Sequence, residues 1–260
     1  MSNSIKVSTS GHTGTIVIDG EDERNFLSAA MVGQLEEALD DLYYTKAVRA
    51  LVLTGSGNHF CSGLQPQPNQ EALSPEDQVK QWGEEAGQLR DLLVRVMEIT
   101  KPVIAAVNGP ALSAGAALVT AADCVVAGKS ATFGVPDTRM GLVGGLATTL
   151  VSFRLGAGNA ARLALTAGEI DATEGHRLGL FHEVVEDDQT WARANALAGE
   201  IAGSAPEAIQ LTKRLINETL GETLSTQLSA AAVIDATART TEAAAEGIAA
   251  QLEGRKPEWK

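Results

Sequence analysis

Short apolar runs with strand-like spacing alternate with longer runs of helical spacing through the first half of the chain. Residues 5–7 and 15–19 are rich in β-branched residues, and Gly11 and Gly14 lie between them, which predicts a β-hairpin. Short, mostly apolar runs are typical of strands that are buried on both faces of a sheet. Three such strands are predicted, at residues 48–54, 103–107 and 124–127.

Helices are predicted between and after these strands. Ser28 precedes apolar residues at helical spacing that begin at Met31 and end at Leu42, as an N-terminal capping residue does. A polar stretch with three prolines, residues 65–81, predicts a loop that leads into a helix ending before Pro102. Further helices are predicted at residues 113–122 and 142–150, with a short segment around Phe133 between them.

From residue 159 onward strand-like runs nearly vanish. Helices are predicted at residues 191–203, 206–219 and 228–252. The last of these carries a stripe of small and apolar residues, which permits close helix approach to a partner subunit as well as to the protein's own core. The short strands and irregular spacing favour an α/β fold built as a spiral of ββα units. We expect a core at residues 1–195 and a helical C-terminal region at residues 196–260.

Composition excludes several classes of partner. The 33 acidic residues outnumber the 20 basic ones, giving a formal net charge of −13, so the chain lacks the dense Lys and Arg that bind nucleic acids and anionic membranes. Aromatic residues make up only 4%, which disfavours recognition by stacking on bases. We therefore expect no nucleic-acid and no membrane partner, and an anionic ligand must be held by local backbone geometry.

The two cysteines, Cys61 and Cys124, match neither a disulfide framework nor a metal-binding spacing, so we expect ordinary packing and no metal site. The longest apolar tract, residues 103–127, is interrupted by Asn108 and Asp123 and does not read as a membrane span. The first residues lack the apolar segment of a secretory signal. These features predict an intracellular, cytoplasmic protein.

Two glycine-containing turns concentrate the candidate chemistry. Their sequences are HFCSGL at residues 59–64 and AVNGPALSAG at residues 106–115. Glycine lets the backbone bend and approach a ligand closely, and free N–H groups at a helix N-terminus bind oxyanions. Neither segment has the ending of a P-loop or the pattern of a nucleophile elbow. Taken singly, each is compatible with an anion-binding site and with an ordinary structural turn.

Taken together, the two turns resemble the oxyanion-hole segments of the crotonase superfamily (enoyl-CoA hydratase/isomerase). The resemblance continues through RNFLS at residues 24–28, FGVPD at 133–137 with GL at 141–142, APEA at 205–208 before Lys213, EGI at 246–248 and EGRKPEW at 253–259. It implies the crotonase spiral of ββα units with a C-terminal helical trimerisation region, as a homotrimer or a dimer of trimers. It also implies an acyl-CoA thioester ligand, no metal, and no cofactor other than the coenzyme A that enters with the substrate.

The resemblance also assigns roles to individual residues. The backbone N–H groups of Leu64 and Ala114 would donate to the thioester oxygen and stabilise an enolate. Backbone donors make the identity of these two side chains unimportant. Contacts to the substrate and to coenzyme A would come from Arg24, Phe60, Ser62, Gly63, Gly115 and Lys256.

Three departures from the family pattern bear on the reaction. Hydratases of this family carry two glutamates that activate water; here the first position is Ala117, which cannot transfer a proton. The second is Asp137, whose carboxylate reaches one methylene less far, and Gln65 replaces the usual aspartate after the first donor. A single carboxylate fits the proton shuttling of an enoyl-CoA isomerase better than two-carboxylate addition of water.

Other interpretations of the polar residues stay open. Asp137 could instead pair with Arg139 or lie at a polar rim, and Glu84 or Glu85 could supply a second carboxylate. His59 and His182 are expected on loops in solvated or capping roles, and His176, in a helix predicted at residues 172–178, is expected at the surface. An acyl-CoA-binding homologue without activity is the rival to an enzyme, because loss of the glutamate leaves the rest of the pocket intact. A scaffold trimer that binds no thioester is the third hypothesis.

Overall fold

The structure is a computed structural model that describes residues 4–20, 24–66, 74–218 and 221–259. Its strands are β1 (Ser4–Ser10), β2 (Thr13–Asp19), β3 (Ala50–Gly55), β4 (Val103–Val107), β5 (Ala111–Leu112), β6 (Cys124–Gly128), β7 (Thr132–Gly134), β8 (Glu169–Asp171) and β9 (Glu183–Val185). Its α-helices are α1 (Ala29–Tyr44), α2 (Pro75–Glu98), α3 (Ala114–Ala121), α4 (Gly145–Leu155), α5 (Ala157–Thr166), α6 (Ala172–Arg177), α7 (Thr190–Ala202), α8 (Pro206–Glu218), α9 (Gly221–Ala238) and α10 (Glu242–Glu253). Single 3₁₀ turns lie at Pro136–Met140 and Asp187–Gln189.

The main sheet has six strands in the order β1-β2-β3-β4-β6-β9. The β1–β2 pair is antiparallel, which confirms the predicted hairpin, and every other pair in this sheet is parallel. A second, three-stranded sheet has the order β5-β7-β8 and joins the turn before α3 to the strand before Pro136. The predicted buried strands are confirmed: every residue of β3 and β4 is buried, as parallel strands covered on both faces require, and in β6 every residue after Cys124 is buried.

Side chains that alternate along β3 fill two hydrophobic cores. Leu51 and Leu53 join the larger core with the apolar faces of α1 and α2. Ala50 and Val52 face the other way, into a smaller cluster closed by Ala194 and Ala198 of α7 together with Ile104, Ala106 and Val126 of the neighbouring strands. The predicted boundary between residues 195 and 196 therefore falls inside a helix that packs on the sheet.

The loop predicted at residues 65–81 is shorter than expected. Helix α2 begins at Pro75, and Ser74 caps it by accepting a hydrogen bond at Oγ from the Asp77 N–H at 3.1 Å. Proline at the first helical position and acidic residues in the first turn are themselves helix-start signals. The prediction of a longer loop followed from the three prolines of this stretch and disregarded these helix-start signals. Residues 67–73 lie outside the described part of the chain.

The single helix predicted at residues 228–252 is two helices. Helix α9 ends at Ala238, and Thr241 starts α10 by accepting a hydrogen bond at Oγ1 from the Ala244 N–H at 3.1 Å. A threonine whose side chain accepts a backbone N–H competes with continuation of the helix through it. The predicted stripe of small and apolar residues is therefore divided between two helices. Its members differ accordingly: Ile248 is buried, whereas Ile234 and Leu252 are exposed.

The other helix predictions agree with the structure to within a few residues at their ends. The predicted cap of α1 is confirmed, because Ser28 Oγ accepts the Met31 N–H at 3.3 Å. The buried face of α1 carries the apolar residues that gave the helical spacing. Over the described ranges, none of the helices combines the length and the apolar character that crossing a bilayer requires.

Candidate active site

A cavity of about 470 Å³ opens between the start of α3, the 3₁₀ turn at Pro136–Met140 and the C-terminal helices α9 and α10. Leu64, Ala114, Ala117 and Asp137, all singled out in the sequence, line it. The volume suits a small organic ligand or part of a larger one. Four positions from three separate segments are thus brought together in one concave site.

The two glycine turns are joined by backbone hydrogen bonds. The Leu112 N–H donates to Cys61 O at 2.9 Å, and the Phe60 N–H donates to Pro110 O at 3.1 Å. A Cβ at Gly115 would lie 2.1 Å from Cys61 O, far inside contact distance. The glycine is therefore required because the two turns approach each other, a tertiary reason that adds to the ligand approach expected from the sequence.

Leu64 and Ala114 sit at the junction of these turns. Leu64 pairs with Leu27, but the two bonds of that pairing run from Leu27 N to Gly63 O and from Gln65 N to Leu27 O, both at 2.8 Å, and do not use the Leu64 N–H. Ala114 is the first residue of α3, so its N–H has no acceptor within the helix. Both residues line the cavity, where an oxygen of a ligand can approach.

Asp137 is buried, with 5% of its surface exposed. The hydroxyl of Ser113 donates to Asp137 Oδ1 at 2.6 Å, whereas Oδ2 is enclosed and has no hydrogen-bond partner among the residues that the structure describes. Burial raises the pKa of the Asp137 carboxyl, and the Ser113 hydrogen bond opposes that rise. The alternative that Asp137 pairs with Arg139 is wrong, because its observed partner is Ser113 and Arg139 is exposed.

Ser113 was part of the AVNGPALSAG motif but was not itself a candidate residue. Its backbone has φ +53° and ψ −116°, a conformation that non-glycine residues rarely adopt. It stands at the capping position of α3, but its side chain points to Asp137 and makes no cap. The sequence signal was its position directly before the predicted donor Ala114.

Asp235, on α9, is a second carboxyl at the cavity that sequence reasoning missed. The first two N–H groups of α4 bind it: Gly145 donates to Oδ1, and Leu146 donates to Oδ2 at 3.2 Å. Burial raises the pKa of Asp235 to about 6, and the nearby Asp137 carboxyl adds to the rise. No local pattern pointed to this residue, because α4 and α9 are distant in the chain.

We expect the pH dependence of stability to differ between the wild type and Asp235→Asn. The folded protein keeps the Asp235 proton up to pH about 6, whereas the unfolded chain loses it near 3.8. The contribution of this carboxyl to the free energy of unfolding is therefore greatest in acid and falls as pH rises through that window. The free energy of unfolding of the wild type minus that of Asp235→Asn should fall by on the order of 2 kcal/mol between pH 4 and pH 6.

Urea unfolding at a series of pH values measures this difference. Asp188→Asn, the same chemical change at an exposed position on the Asp187–Gln189 turn, is the matched control. A flat difference for Asp235→Asn would mean that the Asp235 pKa is not raised in the folded protein.

Glu84 and Glu85 do not supply a second carboxylate to the cavity. Glu84 is exposed and lies 3.9 Å from Lys80 Nζ, one helical turn away. Glu85 Oε2 accepts from Arg239 Nη1 at 2.6 Å, and both side chains are largely covered. This alternative does not hold, because α9 packs on α2 and the turn after α9 brings Arg239 to Glu85.

The predicted coenzyme A contacts divide into two groups. Arg24 and Ser62 line the cavity, and the Arg24 guanidinium carbon lies 5.8 Å from the centre of the Phe26 ring. Phe60 is fully buried in the core instead, and Gly63 faces the Ser113 side chain. Lys256 is exposed and lies outside the cavity lining of this single chain.

The histidines have mixed placements. His59 lines the cavity and has a buried Nδ1 without a hydrogen-bond partner in the described ranges, so it is not the simple surface residue expected. His182 Nδ1 accepts the Val125 N–H at 2.8 Å, and burial lowers its pKa. His176 Nδ1 lies 2.8 Å from Phe181 O. His182 therefore holds backbone, in line with its expected capping role, and His176 is exposed, as expected for a surface residue.

Comparison with known proteins identifies the class to which this fold and cavity belong. The family model described as "Enoyl-CoA hydratase/isomerase" matches residues 10–260. The chain therefore belongs to the enoyl-CoA hydratase/isomerase family. The resemblance seen in the sequence is confirmed, and the fold is the crotonase fold.

Individual relatives carry different reaction names. Enoyl-CoA hydratase EchA19 of Mycobacterium tuberculosis is 34% identical over 211 residues, which is 80% of this chain and 78% of that protein. The 1,2-epoxyphenylacetyl-CoA isomerase of Escherichia coli is 31% identical over 247 residues, covering 94% of each. The crystal structure of an enoyl-CoA hydratase from Mycobacterium avium superposes with a TM-score of 0.86 at 28% identity, covering 98% of each chain.

Proposed function

We propose that this protein is an acyl-CoA enzyme that stabilises a thioester enolate and moves a proton with a single carboxyl, Asp137. The observation that carries this proposal is the placement of the buried Asp137 carboxyl in the same cavity as Leu64 and Ala114. Relatives at 31% and 34% identity that are named for reactions of CoA thioesters support the substrate class.

The enolate would be held by two backbone donors. When the carbanion forms beside a thioester carbonyl, negative charge develops on the carbonyl oxygen, and N–H groups aimed at that position stabilise it. The unused N–H at the start of α3 and the N–H of Leu64 are the proposed donors. Each donor of this kind contributes about 3 kcal/mol to transition-state stabilisation.

Isomerisation is the reaction that one carboxyl accounts for most simply. The Asp137 carboxylate takes a proton from the α carbon of a β,γ-unsaturated thioester, and the electrons move into a dienolate. The same carboxyl then returns that proton to the γ carbon, which leaves the double bond between the α and β carbons. No water is consumed, so the methyl group of Ala117, where hydratases have a glutamate, is no obstacle.

Coenzyme A is proposed to enter only as part of the substrate, with no separate cofactor. Arg24 is a candidate for contact with a phosphate group, and Ser62 lies beside it at the cavity wall. Local contacts of this kind are compatible with the acidity of the whole chain, because a net charge of −13 describes the surface at large.

A homotrimer or a dimer of trimers is part of the proposal. Its support is the set of large apolar side chains that the single chain leaves exposed on α8 and α9, namely Leu211, Leu215, Ile216, Val233 and Ile234. Exposed apolar surface of this extent is typical of protein–protein contacts. Lys256 stays a predicted coenzyme A contact, within one subunit or across such an interface.

A protein that binds acyl-CoA without turning it over is the alternative. Ala117 favours it, because that residue is fully buried at the cavity and supplies no proton-transfer group. Such a protein would still bind the thioester through the same backbone groups.

Product analysis decides between these functions. The protein is incubated in heavy-oxygen water with a panel of α,β-enoyl, β,γ-enoyl, dienoyl and β-keto thioesters of coenzyme A, and the products are analysed by mass spectrometry. We expect movement of a double bond without uptake of the oxygen label. Uptake of the label would indicate hydration or hydrolysis instead. Tight binding in calorimetry with no product from any thioester would favour the binding protein.

A further inference from the structure

We propose that Ser113 is a positioning residue for Asp137: its hydroxyl fixes one carboxyl oxygen, Oδ1, and thereby sets the orientation in which the carboxyl exchanges the proton. This inference rests on the acid–base role proposed above for Asp137. Sequence reasoning gave Ser113 no function, and the contact depends on two elements that meet only in the folded protein, the start of α3 and the 3₁₀ turn.

The geometry around the carboxyl distinguishes its two oxygens. Oδ1 accepts the Ser113 hydroxyl proton at 2.6 Å, a short distance typical of a hydrogen bond to a charged acceptor. Oδ2 lies toward Gly144, where a Cβ would be only 2.5 Å away, and has no hydrogen-bond partner within the described ranges. A buried carboxyl oxygen without a donor is a strong proton acceptor, since nothing stabilises its charge. Gly144 lines the cavity beside Asp137.

The backbone at Ser113 indicates that the hydroxyl is held there against local preference. With φ +53° and ψ −116°, this position would suit glycine better than serine. The conformation is fixed by neighbours: the Ser113 N–H donates to Gly134 O at 3.1 Å, and Ser113 O accepts the Ala117 N–H at 3.0 Å. A Cβ at Gly63 would lie 2.9 Å from the Ser113 Cβ, so glycine at this position leaves room for the Ser113 side chain.

Other ionisable groups near Asp137 do not replace this contact. Asp235, from α9, accepts hydrogen bonds from the start of α4, and the Asp137 carboxyl adds to the rise of the Asp235 pKa. Arg239, in the turn directly after α9, is engaged with Glu85. The remaining ionisable side chains at the cavity are Arg24, His59, Arg139 and Glu169. Within the described residues, Ser113 is the side chain that hydrogen-bonds to the carboxyl.

Removal of the hydroxyl should weaken proton transfer more than binding. We expect Ser113→Ala to lower kcat for isomerisation of β,γ-hexenoyl-CoA by about tenfold to a hundredfold, as a misplaced acid–base group does, with KM unchanged. Ser113→Gly should lose as much activity as Ser113→Ala. Because glycine adopts this backbone conformation without strain, Ser113→Gly should have a higher melting temperature than Ser113→Ala. Thr138→Ala is the matched control, because Thr138 lies in the same turn as Asp137 but its hydroxyl donates to Ala164 O. This variant should leave kcat unchanged.

The pH profile adds a readout that a purely structural role would not move. The hydrogen bond from Ser113 favours the ionised carboxyl, so its loss should raise the Asp137 pKa and shift the acid limb of kcat/KM to higher pH. In the Asp137→Asn background, Ser113→Ala should cause no further loss, because residues that act as one unit are not additive.

Several outcomes would overturn the proposal. One is an unchanged kcat and pH profile in Ser113→Ala. Another is a loss of kcat on adding Ser113→Ala to Asp137→Asn that equals the loss in the wild-type background. The third is wild-type activity in Ser113→Gly. If Asp137→Asn is fully active, the proposed function fails first. If the wild type does not turn over the probe, an NMR titration of the Asp137 carboxyl carbon still decides: an upward pKa shift in Ser113→Ala supports the positioning contact, and no shift refutes it.

Discussion

Replacement of Asp137 by Asn is expected to lower kcat for every thioester that the protein accepts by at least about a hundredfold, the usual contribution of a positioned acid–base group. Asn keeps the size and the acceptor oxygen of the side chain but cannot take up a proton. Substrate binding should change little, since the proposed contacts to the thioester oxygen come from backbone N–H groups. The measurement is steady-state kinetics on the active thioesters from the product panel.

Two controls separate this effect from loss of the fold. Burial disfavours the ionised carboxyl of Asp137, so the neutral Asn should leave the melting temperature near neutral pH unchanged or higher. Asp188→Asn, the same chemical change at an exposed site away from the cavity, should retain full activity. Equal turnover by the wild type and Asp137→Asn would show that the acid–base role belongs to another group.

The pH dependence of the wild type provides a further check on the same carboxyl. Because burial raises the Asp137 pKa above its ordinary value of 3.8, the carboxylate that acts as base should be lost on acidification earlier than for an exposed aspartate. The acid limb of kcat/KM should therefore lie at higher pH than the titration of an exposed aspartate and should be absent from the residual activity of Asp137→Asn.

Gly115→Ala is expected to destabilise the protein by about 3 kcal/mol or more, at the high end for single substitutions. The added Cβ would lie 2.1 Å from Cys61 O and 2.9 Å from Cys61 Cβ. Backbone cannot move aside as a flexible side chain can, so the two glycine turns must separate. Their separation would also displace Leu64 from Ala114, and binding of acyl-CoA should be lost together with stability.

Urea unfolding followed by calorimetric titration with an acyl-CoA tests both parts of this expectation. Gly87→Ala, in the middle of α2 with open space where the Cβ would lie, is the matched control. Its stability should rise by up to about 1 kcal/mol, because alanine is the better helix former. A Gly115→Ala protein with wild-type stability and unchanged binding would contradict the close contact between the turns.

Helix ends show where sequence patterns were informative and where their signals competed. Ser74 and Pro75 carried a helix-start signature, but the prolines around them favoured a loop, and the structure follows the signature. Thr241 interrupts what periodicity alone predicts as one helix, because apolar spacing continues across a break that a capping side chain creates. In both places the local hydrogen-bonding residue, not the hydrophobic period, set the boundary.

The residues of the candidate site also differ in how far the sequence predicts their role. The two glycine turns and Asp137 could be found in the sequence, because each lies in a contiguous motif that resembles the pattern of the family. Glu85 illustrates the opposite case: it was a candidate catalytic carboxyl until α9 brought Arg239 against it. Charge at a position is visible in a sequence, but the partner that neutralises it is not.

The sequence by itself determined the family, the ββα character of the fold, the segments that line the cavity and the absence of a proton-transfer group at Ala117. Only the tertiary structure decided that Ser113 bonds to Asp137, that Asp235 lies at the same cavity and that Gly115 is required by the carbonyl of Cys61. The physical reason is that spacing along a chain records which face of an element is buried. It does not record which distant element covers that face, and the ionisation and reach of a carboxyl depend on that covering element.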